Sequence, residues 1–349
     1  MRKIAELDQN FAPSAEQGGL TWADAHDLPC EITGLHPKTF CRVDPALLPL
    51  LPGPVQELAL HTAGGMVRFH AKAGRYGYRY ELLSGEDMGH MPRTGSAGLD
   101  VYAGSGAEMR FIRSTQPACR TVTASGEFTL PQEEDVTFYL PLYNGIRRLE
   151  LGFETAPARP AVPYRFSRPI VFYGSSITQG GCASRPANSY AAMLCRLLDC
   201  PQHNLGFSGN GKGEIEMARY IASLPMTALV MDYDHNAPNA THLERTHLPF
   251  AEAVLERQPQ VPILFATKPD FRHGNTAENS KRRDVVRRTY ETLRIRGVRC
   301  AFMDGETFFD GTLYDSCTVD GCHPNDLGFY RMAMKMLPVM QALLAGVQA

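Results

Sequence analysis

No stretch of this chain approaches the roughly 18 consecutive apolar residues that a membrane-spanning helix needs, so no span is expected. Neither sign of charge dominates: 35 basic side chains stand against 37 acidic ones, for a net charge of -2. That balance excludes recruitment to nucleic acid or to an anionic membrane by bulk electrostatics. Nine cysteines are present, but no Cys-x-x-Cys pair occurs and none shares zinc-like spacing with the histidines. A metal ribbon or a thioredoxin-type redox motif is therefore not expected. Cys195 and Cys200 read as small buried hydrophobes, while Cys317 and Cys322 flank a loop of interest below. The basic start Met1-Arg2-Lys3 is followed by no apolar segment. A secretory leader is not expected, and the cysteine pattern reads as that of a reducing, cytoplasmic protein.

What is present divides into two rhythms. From about Gln56 to Phe153 apolar residues alternate with period two, as in Tyr76, Tyr78 and Tyr80, in Met66–Ala71 and in Val136–Leu140. Short strands broken by Gly and Pro predict an antiparallel β-sandwich over residues 1–155. Asn144-Gly145 reads as a type I′ hairpin turn. Residues 156–168, which include Pro157, Pro160 and Pro163, read as a semi-rigid linker. Over 169–349 short apolar strands (Ile170–Tyr173, Asn204–Gly206, Leu229–Asp232, Ile263–Ala266, Cys300–Met303) alternate with helical stretches. Those stretches are Tyr190–Leu198, Glu214–Ala222, Leu243–Glu256, Arg282–Arg294 and Leu327–Leu344. Such alternation predicts a parallel sheet covered on both faces, with active groups at the strands' C-terminal ends.

Two strings carry the chemistry. Gly174-Ser175-Ser176 follows the first of these strands, where a serine hydroxyl can project from a tight turn at a helix start. Asp320-Gly321-Cys322-His323-Pro324 places an acid three residues before a histidine, ahead of the last helix. Together they supply a nucleophile (Ser176), a base (His323) and its orienter (Asp320). Between them, Asn204–Asn210 offers glycine backbone N–H groups, and Asp232–Asn236 ends in a side-chain amide. Both are suited to an oxyanion.

These four segments, in this order, resemble the SGNH (GDSL-type) hydrolase family, named for a Ser, a Gly, an Asn and a His in separate blocks. The resemblance covers about residues 169–345. It implies a flavodoxin-like three-layer α/β/α domain, with Ser176 as nucleophile, His323 as base and Asp320 as its partner. Gly209 and Asn236 would be oxyanion donors beside the Ser176 N–H. Gly98-Leu99-Asp100-Val101-Tyr102 is similar to a Gly-x-Asp-Leu-Tyr string of the family's two-domain branch, which implies a jelly-roll-like N-terminal sandwich. Two positions depart from the family pattern: Ser175 stands where Asp is usual, and Asp234-His235-Asn236-Ala237 replaces Gly-x-Asn-Asp.

Several other features read as structural. Gly206–Gly213 nearly spells a phosphate-binding loop, but Gly213 stands where a hydroxyl should follow Lys212. Asp232, Asp234 and His235 lie on an extended segment without a partner cluster, so no metal is expected there. His242 and His247 are expected at the surface, and the Lys281–Arg288 basic run on a solvated helix face. Arg185 and Asn188, in the loop past Ser176, are candidate substrate contacts. The expected activity is hydrolysis of a short, acetyl-like ester on a sugar or glycoside, with no cofactor and with sandwich tyrosines available to stack on the sugar. Acyl transfer from the same site and sugar binding by a vestigial hydrolase remain open, as does a homo-oligomer.

Overall fold

The computed structural model describes residues 2, 4–8, 18–157, 159–269 and 274–347. Met1 and Lys3 of the basic start and Ala158 of the proline-rich run lie outside the described residues. Five strands form the parallel sheet: β1 (Ile170–Gly174), β2 (Gln202–Gly206), β3 (Ala228–Asp232), β4 (Ile263–Ala266) and β5 (Cys300–Met303). Their order is β2-β1-β3-β4-β5. Every residue of β1 to β4 is buried; β1, β3 and β4 accordingly read as apolar runs, whereas the edge strand β2 buries the polar Gln202, His203 and Asn204. In this order the chain leaves β1 on one side for β2 and then returns across it to β3. The crevice beyond the C-terminal end of β1 is where open α/β sheets bind ligands.

The helices are α1 (Ser176–Gln179), α2 (Tyr190–Leu198), α3 (Ile215–Ser223), α4 (Ala240–Arg257), α5 (Thr276–Ile295) and α6 (Asp326–Leu344). Two of them begin earlier than the apolar periodicity predicts. Asn239 caps α4 by accepting from His242 N at 2.8 Å, and Asn275 caps α5 by accepting from Glu278 N at 3.1 Å. Their polar first turns carry no periodic signal, so the caps alone set those starts. α2 and α6 cover one face of the sheet through Tyr190, Leu194, Phe329, Met332 and Met336. On the other face lie α3, α4 and α5 together with Cys41, Val43, Val55 and Ala59 from the N-terminal half.

The N-terminal strands build two antiparallel sheets. One has the order Thr21–Asp24, Ile146–Phe153, Gly74–Leu82, Thr123–Leu130; the other Glu31–Thr33, Met66–Ala71, Glu134–Tyr139, Asp100–Ala103, Arg110–Ser114. Phe69, Tyr76, Tyr78, Tyr80, Val101 and Phe138 fill the space between them. The period-two tyrosines therefore point inward and are not available to a sugar.

Four further expectations are corrected. Asn144-Gly145 joins strands of different sheets, and neither residue has the positive φ of a type I′ turn. The buried Asn144 amide is spent on the backbone of Ser84, at 2.7 and 3.1 Å. The proline-rich run lies along the sandwich: Arg159 O accepts from His70 N at 3.1 Å, and Val162 N donates to Asp135 at 3.0 Å. His247 is buried and stacked on Tyr233, with ring centroids 5.4 Å apart. Finally, residues before 155 do not all belong to the sandwich. The buried Arg42 guanidinium donates to Asn204 O (2.9 Å) and Gly206 O (2.7 Å) along the edge strand β2, and to Leu58 O (2.5 Å). All nine cysteines are free. Among the described residues no helix is long and apolar enough to cross a membrane.

Candidate active site

The turn that presents Ser176 is set by its neighbours. A Cβ at Gly174 would meet Asp232 Oδ1 at 1.7 Å and Thr178 Oγ1 at 2.0 Å, so only glycine fits there. Ser175 caps α1: its hydroxyl accepts from Ile177 N at 3.2 Å, while Thr178 Oγ1 accepts from Ser175 N at 3.1 Å. The family's usual Asp is thus replaced by a residue that closes a capping box. Asp232, at the end of β3, accepts from Thr178 Oγ1 and from Tyr190 OH, the latter at 2.5 Å. Burial pushes its carboxyl up to about 7. A buried acid–hydroxyl network therefore holds the threonine that holds the cap.

The histidine comes from a loop closed by Val319 N donating to His323 O at 2.9 Å, with Gly321 at φ +79. Asp320 Oδ1 accepts the N–H groups of His323 (2.8 Å) and Cys322 (3.0 Å), and Oδ2 lies 2.7 Å from His323 Nδ1. Burial alone would raise this carboxyl, but the hydrogen bonds from His323 and Cys322 hold it down at about 2. An ionised Asp320 accepts a proton bond from Nδ1, which leaves Nε2 as the acceptor. Nε2 stands 3.0 Å from Ser176 Oγ. The structure thus brings Ser176, His323 and Asp320 into one hydrogen-bonded row.

The two remaining blocks pack against the turn that presents Ser176. Gly209 is exposed at φ +67, and its N–H has no partner among the described residues. Asn236 ends a short turn after β3, and its Nδ2 donates to Phe207 O at 2.9 Å, leaving the second N–H of that amide uncommitted there. Phe207 O also accepts from Asn210 N (2.9 Å) and Gly211 N (3.0 Å). A Cβ at Gly211 would lie 2.5 Å from Gly174 O. The glycines of the phosphate-loop look-alike thus permit close approach to the nucleophile turn. Asp234 is buried and accepts from Lys268 N at 3.2 Å, a structural role. His235 Nε2 lies 3.1 Å from Cys322 Sγ, and burial holds its imidazole down near 4, hence neutral.

The N-terminal half reaches this site within the same chain. Tyr143 OH donates to Ser176 O at 3.2 Å. Gln179 Nε2 donates to Leu142 O at 3.1 Å while its Oε1 accepts from Ser208 N at 3.0 Å. The exposed His90 ring stands 5.8 Å from the His323 ring. Periodicity could not have found Tyr143, which lies in what reads as a hairpin turn. Arg185 and Asn188 are held by partners within the chain. Arg185 pairs with the buried Asp100 at 3.3 Å and donates to Tyr102 OH at 2.8 Å, while Ala187 N donates to Asp100 at 2.9 Å. The Gly98–Tyr102 string is therefore a clasp between the halves. Asn188 Nδ2 donates to Asp326 at 2.8 Å, and Ser184 N does so at 2.8 Å.

Comparison with known proteins identifies the family. Residues 167–341 match the model of the GDSL-like lipase/acylhydrolase family, and residues 20–157 match that of the N-terminus of SGNH-hydrolase-type esterases. No curated protein matches the chain. Among solved structures, a protein from Bacteroides ovatus described as a GDSL-like lipase is similar at 28% identity and TM-score 0.83, over 94% of this chain and 98% of its own. A salicylyl-acyltransferase of a tetracycline biosynthetic pathway shares the fold at 18% identity and TM-score 0.77, over 95% and 99%. An acetyl xylan esterase from Butyrivibrio proteoclasticus does so at 14% identity and TM-score 0.55, over 94% and 99%. With both halves matched in order, the chain belongs to the GDSL-like lipase/acylhydrolase family of carboxylic ester hydrolases, in its form with an N-terminal SGNH-esterase domain.

Proposed function

We propose that the protein is a serine esterase that removes short acyl groups, acetyl foremost, from a sugar or glycoside. The observation that carries this is the row Ser176 Oγ, His323 Nε2, His323 Nδ1, Asp320 Oδ2, at 3.0 and 2.7 Å. His323 takes the seryl proton as Oγ attacks the carbonyl, and Asp320 steadies the imidazolium. The oxyanion is met by the Ser176 N–H at the start of α1, the Gly209 N–H and the Asn236 amide. The alcohol leaves with the proton from His323, and water then cleaves the acyl-enzyme.

The acetyl xylan esterase with the same fold supports a polar alcohol and a short acid. The salicylyl-acyltransferase supports a second reading, in which an acceptor other than water receives the acyl group. The test is release of p-nitrophenol from acetate, butyrate and octanoate esters by wild type and Ser176→Ala, followed by acetylated sugars with and without added acceptors. Activity that falls with chain length and vanishes in Ser176→Ala is expected. Equal activity in the mutant would sink the reading. Product appearing on an added sugar faster than free acetate would favour transfer.

A further inference from the structure

Three side chains of metal-binding type from separate segments come together at the histidine that faces the seryl hydroxyl. His90 comes from the N-terminal half, Cys182 from the loop after α1, and His323 from the loop before α6. One ligand atom of each lies within 4.8 Å of the others. Two imidazoles and a thiol form a set that suits zinc and similar thiophilic cations, and is a poor match for magnesium or calcium. Ligand atoms around a tetrahedral zinc stand roughly 3.3 to 3.7 Å apart. His90 is exposed and Cys182 is buried, so closing the remaining gap asks for movement on the His90 side.

The base is already prepared as a ligand. Its Nδ1 is 2.7 Å from Asp320, so Nε2 is the nitrogen left to bind a cation. A carboxylate behind a histidine is the usual support for zinc, because it fixes the tautomer and raises the ligand's basicity. The feature that makes His323 a base therefore also makes it a zinc ligand. We propose that His90, Cys182 and His323 form a site for a thiophilic divalent cation of the zinc type. Its occupation takes Nε2 away from Ser176 Oγ and switches the site off. The cation displaces the thiol proton to solvent, and Ser176 Oγ or a water completes the coordination. The switching consequence rests on the esterase reading; the metal site itself does not.

The test uses the full-length protein with cobalt as a spectroscopic probe and zinc as an inhibitor. Cobalt added to wild type should give a thiolate-to-cobalt absorption band, lost in Cys182→Ser, weakened in His90→Ala and displaced by zinc. Zinc should inhibit p-nitrophenyl acetate hydrolysis, and a chelator should restore it. His90→Ala should need about tenfold more zinc than wild type to halve its own zinc-free rate. A band that is missing in wild type, or that survives both substitutions, overturns the site. Equal zinc sensitivity in wild type and His90→Ala overturns it too. A protein inert toward every ester, yet showing the band, would refute the esterase reading and leave the metal site supported.

Discussion

Arg185→Ala is the substitution that most sharply separates a substrate contact from a clasp. At 3.3 Å from the Asp100 carboxylate, the guanidinium contributes about 5 kcal/mol of gross attraction at an effective dielectric of about 20. Desolvation cancels part of that, and breaking a fully buried pair usually costs about 3–5 kcal/mol. Here Arg185 keeps 24% of its side chain in water while Asp100 keeps none, and Asp100 retains the Ala187 N–H. A net loss of about 2–3 kcal/mol follows. For a chain of 349 residues that corresponds to a fall in melting temperature of about 3–4 °C. Burial already raises the Asp100 carboxyl, and Arg185 opposes the rise. Without Arg185 the native carboxyl is raised further, so the penalty should grow as pH climbs. The assay is thermal unfolding at mildly acidic and alkaline pH, alongside kcat and KM on p-nitrophenyl acetate. Replacing both partners, in Asp100→Leu with Arg185→Leu, should restore part of the loss. A variant that melts like wild type but shows a large rise in KM would refute the clasp and return Arg185 to the substrate.

Three further outcomes follow from the site. Asp320→Asn should keep its acceptors for the Cys322 and His323 N–H groups but present an amide to Nδ1. The tautomer should then reverse, with kcat falling roughly 10³- to 10⁴-fold in a folded protein; a loss below tenfold would show that Asp320 does not orient the base. Tyr143→Phe removes one hydrogen bond to the Ser176 carbonyl, worth about 0.5–1.5 kcal/mol. It should lower kcat by about 2- to 12-fold with little change in KM, and an unchanged kcat would remove the N-terminal half from nucleophile positioning. Asp232 is raised from 3.8 to about 7, first of all by burial, so the native protein keeps a proton that the unfolded chain releases. Its contribution to stability is full below about 4 and is lost as pH rises through about 7. Urea midpoints measured across that window should decline in wild type and flatten in Asp232→Asn; parallel curves would refute the assignment.

The sequence made the α/β half readable because the buried parallel strands β1, β3 and β4 leave apolar runs, and because Ser176 and the Asp320–His323 pair sit at strand and loop ends. Gly209 and Asn236 were legible as blocks but not in their geometry, since the bond from Asn236 to Phe207 O depends on strand order. Tyr143, Gln179 and the Arg185–Asp100 clasp were hidden. Each works across 30 to 90 residues of chain, where no local periodicity reports a partner. His247 misled because helical spacing records which face a residue occupies, not that a partner such as Tyr233 will cover it. The basic run of α5 was only half legible: Arg283 and Arg287 reach Asp304 at 3.5 and 3.3 Å, and Arg282 reaches the carbonyl of Pro238 at 3.2 Å.

The Arg42 guanidinium on the carbonyls of β2 bears on how such a protein can be cut and recombined. β2 is an edge strand, and unpaired edges invite a second chain to add to the sheet. In this molecule the edge is occupied by the protein's own earlier residues, with Cys41, Val43, Val55 and Ala59 sealing the apolar flank. A fragment beginning at 169 would lose both seals at once and should associate through that edge. Transplanting the hydrolase half onto another scaffold would require carrying residues 41–59 with it.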